Sequence, residues 1–182
     1  MTKTQFGQND ASWVKTRQRS VTTSYFQVAL EQAEVITTSH GTEVIGWLAI
    51  TAGQGEWSGR LFRAMWTYNS VTSSWYSISF GRTYASPRFV AALATRNDID
   101  NAELRYQSLS TTRVQVRAEE DTTYDPETTH GGEAVHYLVF AGSGGLRARP
   151  RGSSDEVRKY YHLGAQRVAM RASKTLDAHR QM

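Results

Sequence analysis

Residues 25–31 alternate apolar and polar side chains with a period of two. Phe26, Val28 and Leu30 fall on one face, and Gln27, Ala29 and Glu31 on the other. This alternation marks a strand with one buried face. Residues 113–119 carry the same pattern, with Val114, Val116 and Ala118 against Gln115, Arg117 and Glu119. Tyr76, Ile78 and Phe80 alternate with Ser77 and Ser79, and Leu104 and Tyr106 alternate with Glu103, Arg105 and Gln107. Pro87 introduces a further apolar stretch at residues 89–94. Residues 44–50 and 134–140 are apolar on both faces, as a central strand covered on both sides would be. Short strands at even spacing, broken by Asn, Asp, Ser, Thr and Gly, predict an antiparallel β-sandwich.

The alternation is duplicated. Residues 25–50 return as residues 113–140: Glu31 matches Glu119 at an offset of 88, and His40 matches His130 at 90, the two extra residues falling in the loop between them. The offset of 88 also carries Asn9-Asp10 onto Asn97-Asp98 and Arg17 onto Arg105. The first copy therefore begins near Thr4 and lacks everything that precedes Ala92 in the second. A self-similar chain of this kind is expected to stack its units, since one incomplete unit cannot bury its own apolar face. The expected division is a partial repeat at 4–53, a complete repeat at 56–142, a linker rich in Gly, Ser and Arg at 143–154, and a tail at 155–182. Helix propensity alone favours a helix after Leu163, where Ala, Arg, Gln and Met dominate.

Composition sharpens this picture in three places. Ser, Thr, Tyr and Trp are prominent, which favours strands. The chain has no cysteine, so no disulfide framework or thiolate metal site is available. The net charge of +4 is confined to one end: residues 1–143 hold 12 Lys/Arg against 14 Asp/Glu, and residues 144–182 hold 9 against 3. The main body thus lacks the basic surface that phosphate binding needs, and nucleic acid is not an expected partner. No stretch approaches the roughly 20 apolar residues of a membrane span, so membrane insertion is not expected. The opening MTKTQFGQND has no secretory pattern.

The run FGRTYASPRFVAALATRNDIDNAELRYQSLSTTRVQVRAEEDTTYDPETTHGGEAVHYLVFAG resembles the H-type lectin domain and its bacterial relatives. The resemblance is carried by the apolar strand ending at Phe80, the Ser86-Pro87 entry, the strand bearing Arg105, the Ser- and Thr-rich turn at 110–112, the strand ending in Glu119, and the closing strand with Tyr137. It implies an all-β fold, an antiparallel six-stranded sandwich preceded by a partial copy and followed by a short C-terminal tail. It also implies assembly into trimers or hexamers that bind amino sugars at contacts between protomers. The aromatic-His pair that follows the Glu-bearing strand in the animal members is replaced here by Asp121-Thr122, and in the first copy by Ala33-Glu34. Of the family's functional positions the strand arginine alone carries over, onto Arg105 and, in the partial copy, Arg17. The tail segment VRKYYHLGAQRVAMR, residues 157–171, resembles the YD-repeat (Rhs-type) signature, whose segments pair as strands. With the half-copy in front, the chain reads as an excerpt of a longer extracellular or cell-surface bacterial protein.

A sugar site needs polar groups converging on hydroxyls, a charged residue and an aromatic face. Arg105, Asn97, Asp98, Asp100, Glu119 and Tyr137 supply those types and form the expected carbohydrate site. Arg105 could equally form an ion pair with Glu103, Glu119 or Glu120 across the sheet. The doubled His-Gly-x-Glu, at residues 40–43 and 130–133, reads as a turn before the closing strand, with glycine at a positive φ; a metal site would want more ligands. The adjacent acids Glu119, Glu120 and Asp121 alternate between faces and cannot flank one glycosidic bond. No nucleophile motif is present, so neither an enzyme nor a cofactor is expected. The Trp-rich run at 66–75 is expected to pack in the core and at its edge. Two functions compete: a carbohydrate-binding adhesive module, and a structural repeat of a YD-type shell that binds nothing.

Overall fold

The computed structural model describes residues 2–6, 14–57, 59–142, 156–163 and 166–174. These residues are all-β, with no helix among them. Four strands make up the first copy: β1 (Thr2–Phe6), β2 (Val14–Arg19), β3 (Gln27–Gln32) and β4 (Val44–Leu48). Seven make up the second: β5 (Gly53–Trp57), β6 (Arg60–Trp66), β7 (Tyr76–Ser79), β8 (Arg88–Leu93), β9 (Ala102–Gln107), β10 (Arg113–Glu120) and β11 (Val135–Phe140). The last two, β12 (Glu156–Leu163) and β13 (Gln166–Lys174), form an antiparallel hairpin. The helix that propensity favoured after Leu163 is therefore a strand, because pairing with a neighbour overrides a weak local preference. The linker expected at 143–154 lies outside the described residues.

The second copy is a sandwich of a four-stranded sheet, in the order β5-β6-β11-β8, and a three-stranded sheet, β7-β10-β9. The sandwich has one strand more than the six expected, because β5 adds to the edge of β6 through a hairpin. Between the sheets lies a core of Ile78, Phe80, Val114, Val116 and Ala118 from one side and Leu93, Val135, Tyr137 and Val139 from the other. Phe80 and Tyr84 are fully buried and meet edge to face at 5.8 Å. The alternation of β10 runs to its last residue, so Glu120 points inward with Val114, Val116 and Ala118. An acid on the core face demands a partner, and Glu120 has one.

The two copies repeat at the level of strand register. In β1 and β4, Thr2 stands opposite Leu48 and Phe6 opposite Val44. In β8 and β11, Val90 stands opposite Leu138, and the Ala94 amide donates to the Ala134 carbonyl. Shifting β1 by 88 residues and β4 by 90 converts the first pairing into the second. The hairpins agree as well: Lys15 faces Glu31 and Arg17 faces Ala29, as Glu103 faces Glu119 and Arg105 faces Arg117.

What the first copy lacks explains its exposure. β11 is flanked by β6 and β8 and is buried on both faces, as its apolar sequence predicts. β4 has the same kind of sequence but among the described residues pairs with β1 alone, and Val44 and Trp47 are 65% and 61% exposed. No counterpart of β5, β6 or β7 precedes β1 among the described residues, so β4 has one neighbour where β11 has two. The outer face of the four-stranded sheet also receives the first copy: Leu48 and Ile50 pack with Trp57, Phe62 and Val90 around Ala64, Leu138 and Phe140.

Candidate functional site at the junction of the two copies

Arg17 leaves its own hairpin and enters the second copy. Its Nε donates to the Thr95 carbonyl at 2.9 Å, Nη1 to the Ala102 carbonyl at 3.0 Å, and Nη2 to Glu133 Oε1 at 2.8 Å. Arg17 is 4% exposed and Glu133 is fully buried. Arginine suits this place because its planar fork can satisfy three acceptors in fixed directions. Position 17 faces the second copy because the alternation of β2 and β3 puts Lys15, Arg17 and Glu31 together on the outer face of the hairpin. Glu31, on that face, accepts from Arg96 Nε at 3.0 Å and lies within ion-pair distance of Lys15 and Arg17.

Around Glu133 the turn before β11 is densely hydrogen-bonded. The Thr95 hydroxyl donates to Glu133, as do the Asn97 and Asp98 amides, at 2.9 and 3.3 Å. His130, 2% exposed, stands between two acids: Nδ1 is 2.7 Å from Glu120 Oε1 and Nε2 is 3.4 Å from Glu133 Oε1. Burial pushes the Glu133 carboxyl up, but His130, Thr95 and the Arg17 charge outweigh it, and its pKa lies below the ordinary range. Burial pushes His130 down, yet contacts with Glu133 and Glu120 outweigh that, so its pKa is raised. Glu120 is raised, burial dominating over His130. The result is a compact chain of ionisable groups, Arg17, Glu133, His130 and Glu120, spanning the two copies.

Further contacts lock the turns that follow β3 and β10. The Glu34 amide donates to Asp121 Oδ2 at 2.9 Å. Asn101 donates its amide to Glu34 Oε1 at 2.7 Å and its side chain to the Gln32 carbonyl at 2.7 Å. Asp121, which stands where the lectin pattern has its aromatic-His pair, thus serves the junction.

The six residues expected to form a sugar site do not converge. Arg105 pairs with Glu119 and Glu103 on the exposed outer face of β9 and β10. Asn97 and Asp98 are bound into the turn, Asn97 donating to the Gly132 carbonyl and Asp98 accepting from the Gly131 amide. Tyr137 is 5% exposed, packed against Phe89 in the core, because β11 is a central strand whose odd positions face inward. Its ring therefore offers no face to a ligand. Asp100 lines an open groove of about 520 Å³ between the copies, with Glu34, Arg96, Asn101, Tyr124 and Asp125. The Trp-rich run is a correction too: Trp66 and Tyr68 are 52% and 84% exposed, and Trp75 carries the Arg117 guanidinium 4.8 Å above its ring.

The two His-Gly-x-Glu turns share a sequence and differ in surroundings. Gly131 and Gly132 do not have positive φ; a Cβ on Gly132 would lie 2.5 Å from the Asn69 carbonyl oxygen. Asn69 belongs to the connection from β6 to β7, which has no counterpart in the first copy, and there Thr42 takes the place of Gly132. Asp98, Glu120 and His130 bring three ligand-type atoms within 4.8 Å of one another, so they are the described residues that could hold a cation. Those atoms are committed to one another and to the Gly131 and Asp100 amides. Sequence reasoning missed Glu120 and Glu133 as partners of His130; the inward phase of Glu120 on its strand was the available signal.

A relative is found in Halomucin of Haloquadratum walsbyi (strain DSM 16790 / HBSQ001), 33% identical over 138 residues. The matched span is 74% of this chain and 2% of Halomucin, so the chain corresponds to a small fraction of that protein's length. No protein-family profile matches the sequence. No solved structure matches it.

Proposed function

We propose that this chain is a structural β-sandwich repeat of a large extracellular or cell-surface protein, and that its work is to hold successive copies in a fixed mutual arrangement. One observation carries the reading: the recurrent strand arginine, at Arg17, is consumed as a buried staple between copies. An arginine so placed, 4% exposed and bonded through Nε, Nη1 and Nη2, is closed to a ligand. The mucin-type name of the similar protein and the small fraction of it that this chain spans agree with an extended, repetitive, extracellular setting. The β12–β13 hairpin is consistent with the YD-type tail the sequence resembles.

Calorimetry of the full chain tests this. The wild type is expected to melt its two copies in one transition, and Arg17→Ala to split that transition or to let the amides of β2 and β3 exchange fast while β10 and β11 stay protected. A single, unshifted transition in Arg17→Ala would defeat the proposal.

A second reading, carbohydrate binding, is favoured by the polar groove at the junction, where Arg96, Asp100 and Asp125 stand beside the 75% exposed Tyr124 ring. A glycan array probed with the full chain and with Tyr124→Ala addresses it. Signal that depends on Tyr124 would establish a ligand in the groove, and a silent array leaves the structural role.

A further inference from the structure

Glu120 ends the inward row of β10 with a carboxylate where the repeat puts an amide. Its counterpart at the offset of 88 is Gln32, which ties its own turn by donating to the Thr38 carbonyl at 2.6 Å. A neutral side chain thus holds the turn in one copy, while the other buries a carboxylate whose side chain is 2% exposed. Oε1 of that carboxylate meets His130 Nδ1 at 2.7 Å, and Oε2 is sealed from solvent with no hydrogen-bond partner among the described residues. A buried carboxylate oxygen left unpaired is costly, so the position calls for a further positive partner. Asp98 completes a group of three. Its Oδ2 lies 3.9 Å from the same Nδ1 and accepts from the Gly131 amide at 2.5 Å. One ligand-type atom from each of Asp98, Glu120 and His130 lies within 4.8 Å of the others. The Asp98 side chain is 21% exposed, so the group opens to solvent on that side and is closed at Glu120 and His130. Behind the imidazole, Nε2 faces Glu133 Oε1 at 3.4 Å. A carboxylate in that position fixes the proton on the far nitrogen and frees the near one for a metal.

We infer that Asp98, Glu120 and His130 form a binding site for a divalent transition cation of the zinc type. The inference goes beyond the structural reading above and does not rest on it, since all three ligands belong to the second copy. One imidazole nitrogen with two carboxylates suits zinc, whereas calcium and magnesium take oxygen ligands. Ligand atoms at about 2.0–2.1 Å from a tetrahedral zinc stand roughly 3.3 Å apart. His130 Nδ1 and Glu120 Oε1 therefore part by roughly 0.6 Å on binding, and Asp98 Oδ2 closes on Nδ1 by about as much. The hydrogen bond between His130 and Glu120 gives way to the cation. The Gly131 amide keeps its bond to Asp98, because a carboxylate oxygen has a lone pair for each partner. Three protein ligands leave a fourth position, on the exposed Asp98 side, for water.

Calorimetric titration of zinc chloride into the full chain, stripped with a chelator and held in a non-coordinating buffer, tests this. Cobalt(II) chloride serves as a spectroscopic probe of the same ligands. The expected result is one equivalent of tightly bound zinc and a cobalt complex with the strong visible absorption of four-coordinate geometry. Zinc at a hundredfold excess over Kd should raise Tm by about 5–10 °C. Glu120→Gln installs the side chain that the first copy carries at this position, and should weaken zinc at least about tenfold and remove the cobalt band. Asp98→Asn, on the exposed side, should do the same. Replacing the tail histidines, His162→Gln with His179→Gln, should leave the equivalent in place. Circular dichroism confirms that each variant folds, and should Glu120→Gln fail to, Asp98→Asn carries the comparison. A chain that takes up no zinc, an affinity indifferent to both Glu120→Gln and Asp98→Asn, or binding lost with the tail histidines overturns the inference.

Discussion

Consider Glu133→Gln. The substitution keeps the shape of a fully buried side chain and removes its charge, leaving Arg17, whose side chain is 3% exposed, against a neutral acceptor. The Asn97 and Asp98 amides can still donate to the remaining carbonyl oxygen, and the Thr95 hydroxyl can turn to accept, so most of the loss falls on the ion pair. Breaking a buried pair from one side costs about 3–5 kcal/mol, chiefly because the surviving charge is stranded. For a chain of this size about 3 kcal/mol corresponds to a fall in Tm of roughly 6–12 °C. Arg17→Met should cost a comparable amount, because it strands Glu133 instead. The double variant strands neither charge, so the two losses should not add, and a coupling of about 2 kcal/mol or more is expected from urea melts followed by Trp fluorescence. A loss under about 1 kcal/mol for Glu133→Gln, or strict additivity, would refute the view that this pair ties the copies together.

Arg105→Ala, at the repeat counterpart of Arg17, should change stability by less than about 1 kcal/mol in the same melts, since exposed pairs contribute little. Gly132→Ala should lose about 1–3 kcal/mol through collision with the Asn69 carbonyl, while Gly41→Ala, with nothing near its added Cβ, should be neutral. The raised pKa of His130 means that its contribution is complete below about pH 6.5 and is lost as pH climbs through the folded value; His130→Gln should flatten the alkaline limb of a Tm-pH profile. Glu133 has the opposite sign, its lowered pKa giving stability that is lost as pH falls through the folded value. His136, lowered to about 4 by burial, adds to the acid loss below about pH 6.5, where the unfolded chain takes up a proton that the folded chain refuses; His136→Asn should soften it.

The strand pattern and the duplication were legible because both are periodic. Period two places Val114, Val116 and Ala118 inside and Arg105, Arg117 and Glu119 outside without reference to any neighbour. Burial that depends on the partner was not legible. Arg17 and Arg105 occupy the same phase of corresponding strands, yet one is sealed and the other open, because among the described residues only the first has a copy set against it. Val44–Leu48 and Val135–Phe140 read alike, and the presence of β6 beside one of them decides which is core. Tyr137 has the chemistry of a sugar platform, but a central strand turns its ring inward. The pairing of His130 with Glu120 spans a sequence separation of 10, across a loop over which neither period carries information.

The solitary pairing of β4 has a practical corollary. A strand hydrogen-bonded along one side presents a row of amides and carbonyls on the other, which is a template for strand addition. The hairpin formed by β5 and β6 is what fills the equivalent position on β11 in the second copy. A synthetic peptide of residues 53–66 could therefore be offered in trans to β4, as a probe for that edge and as a brake on the sticky self-pairing that such edges invite.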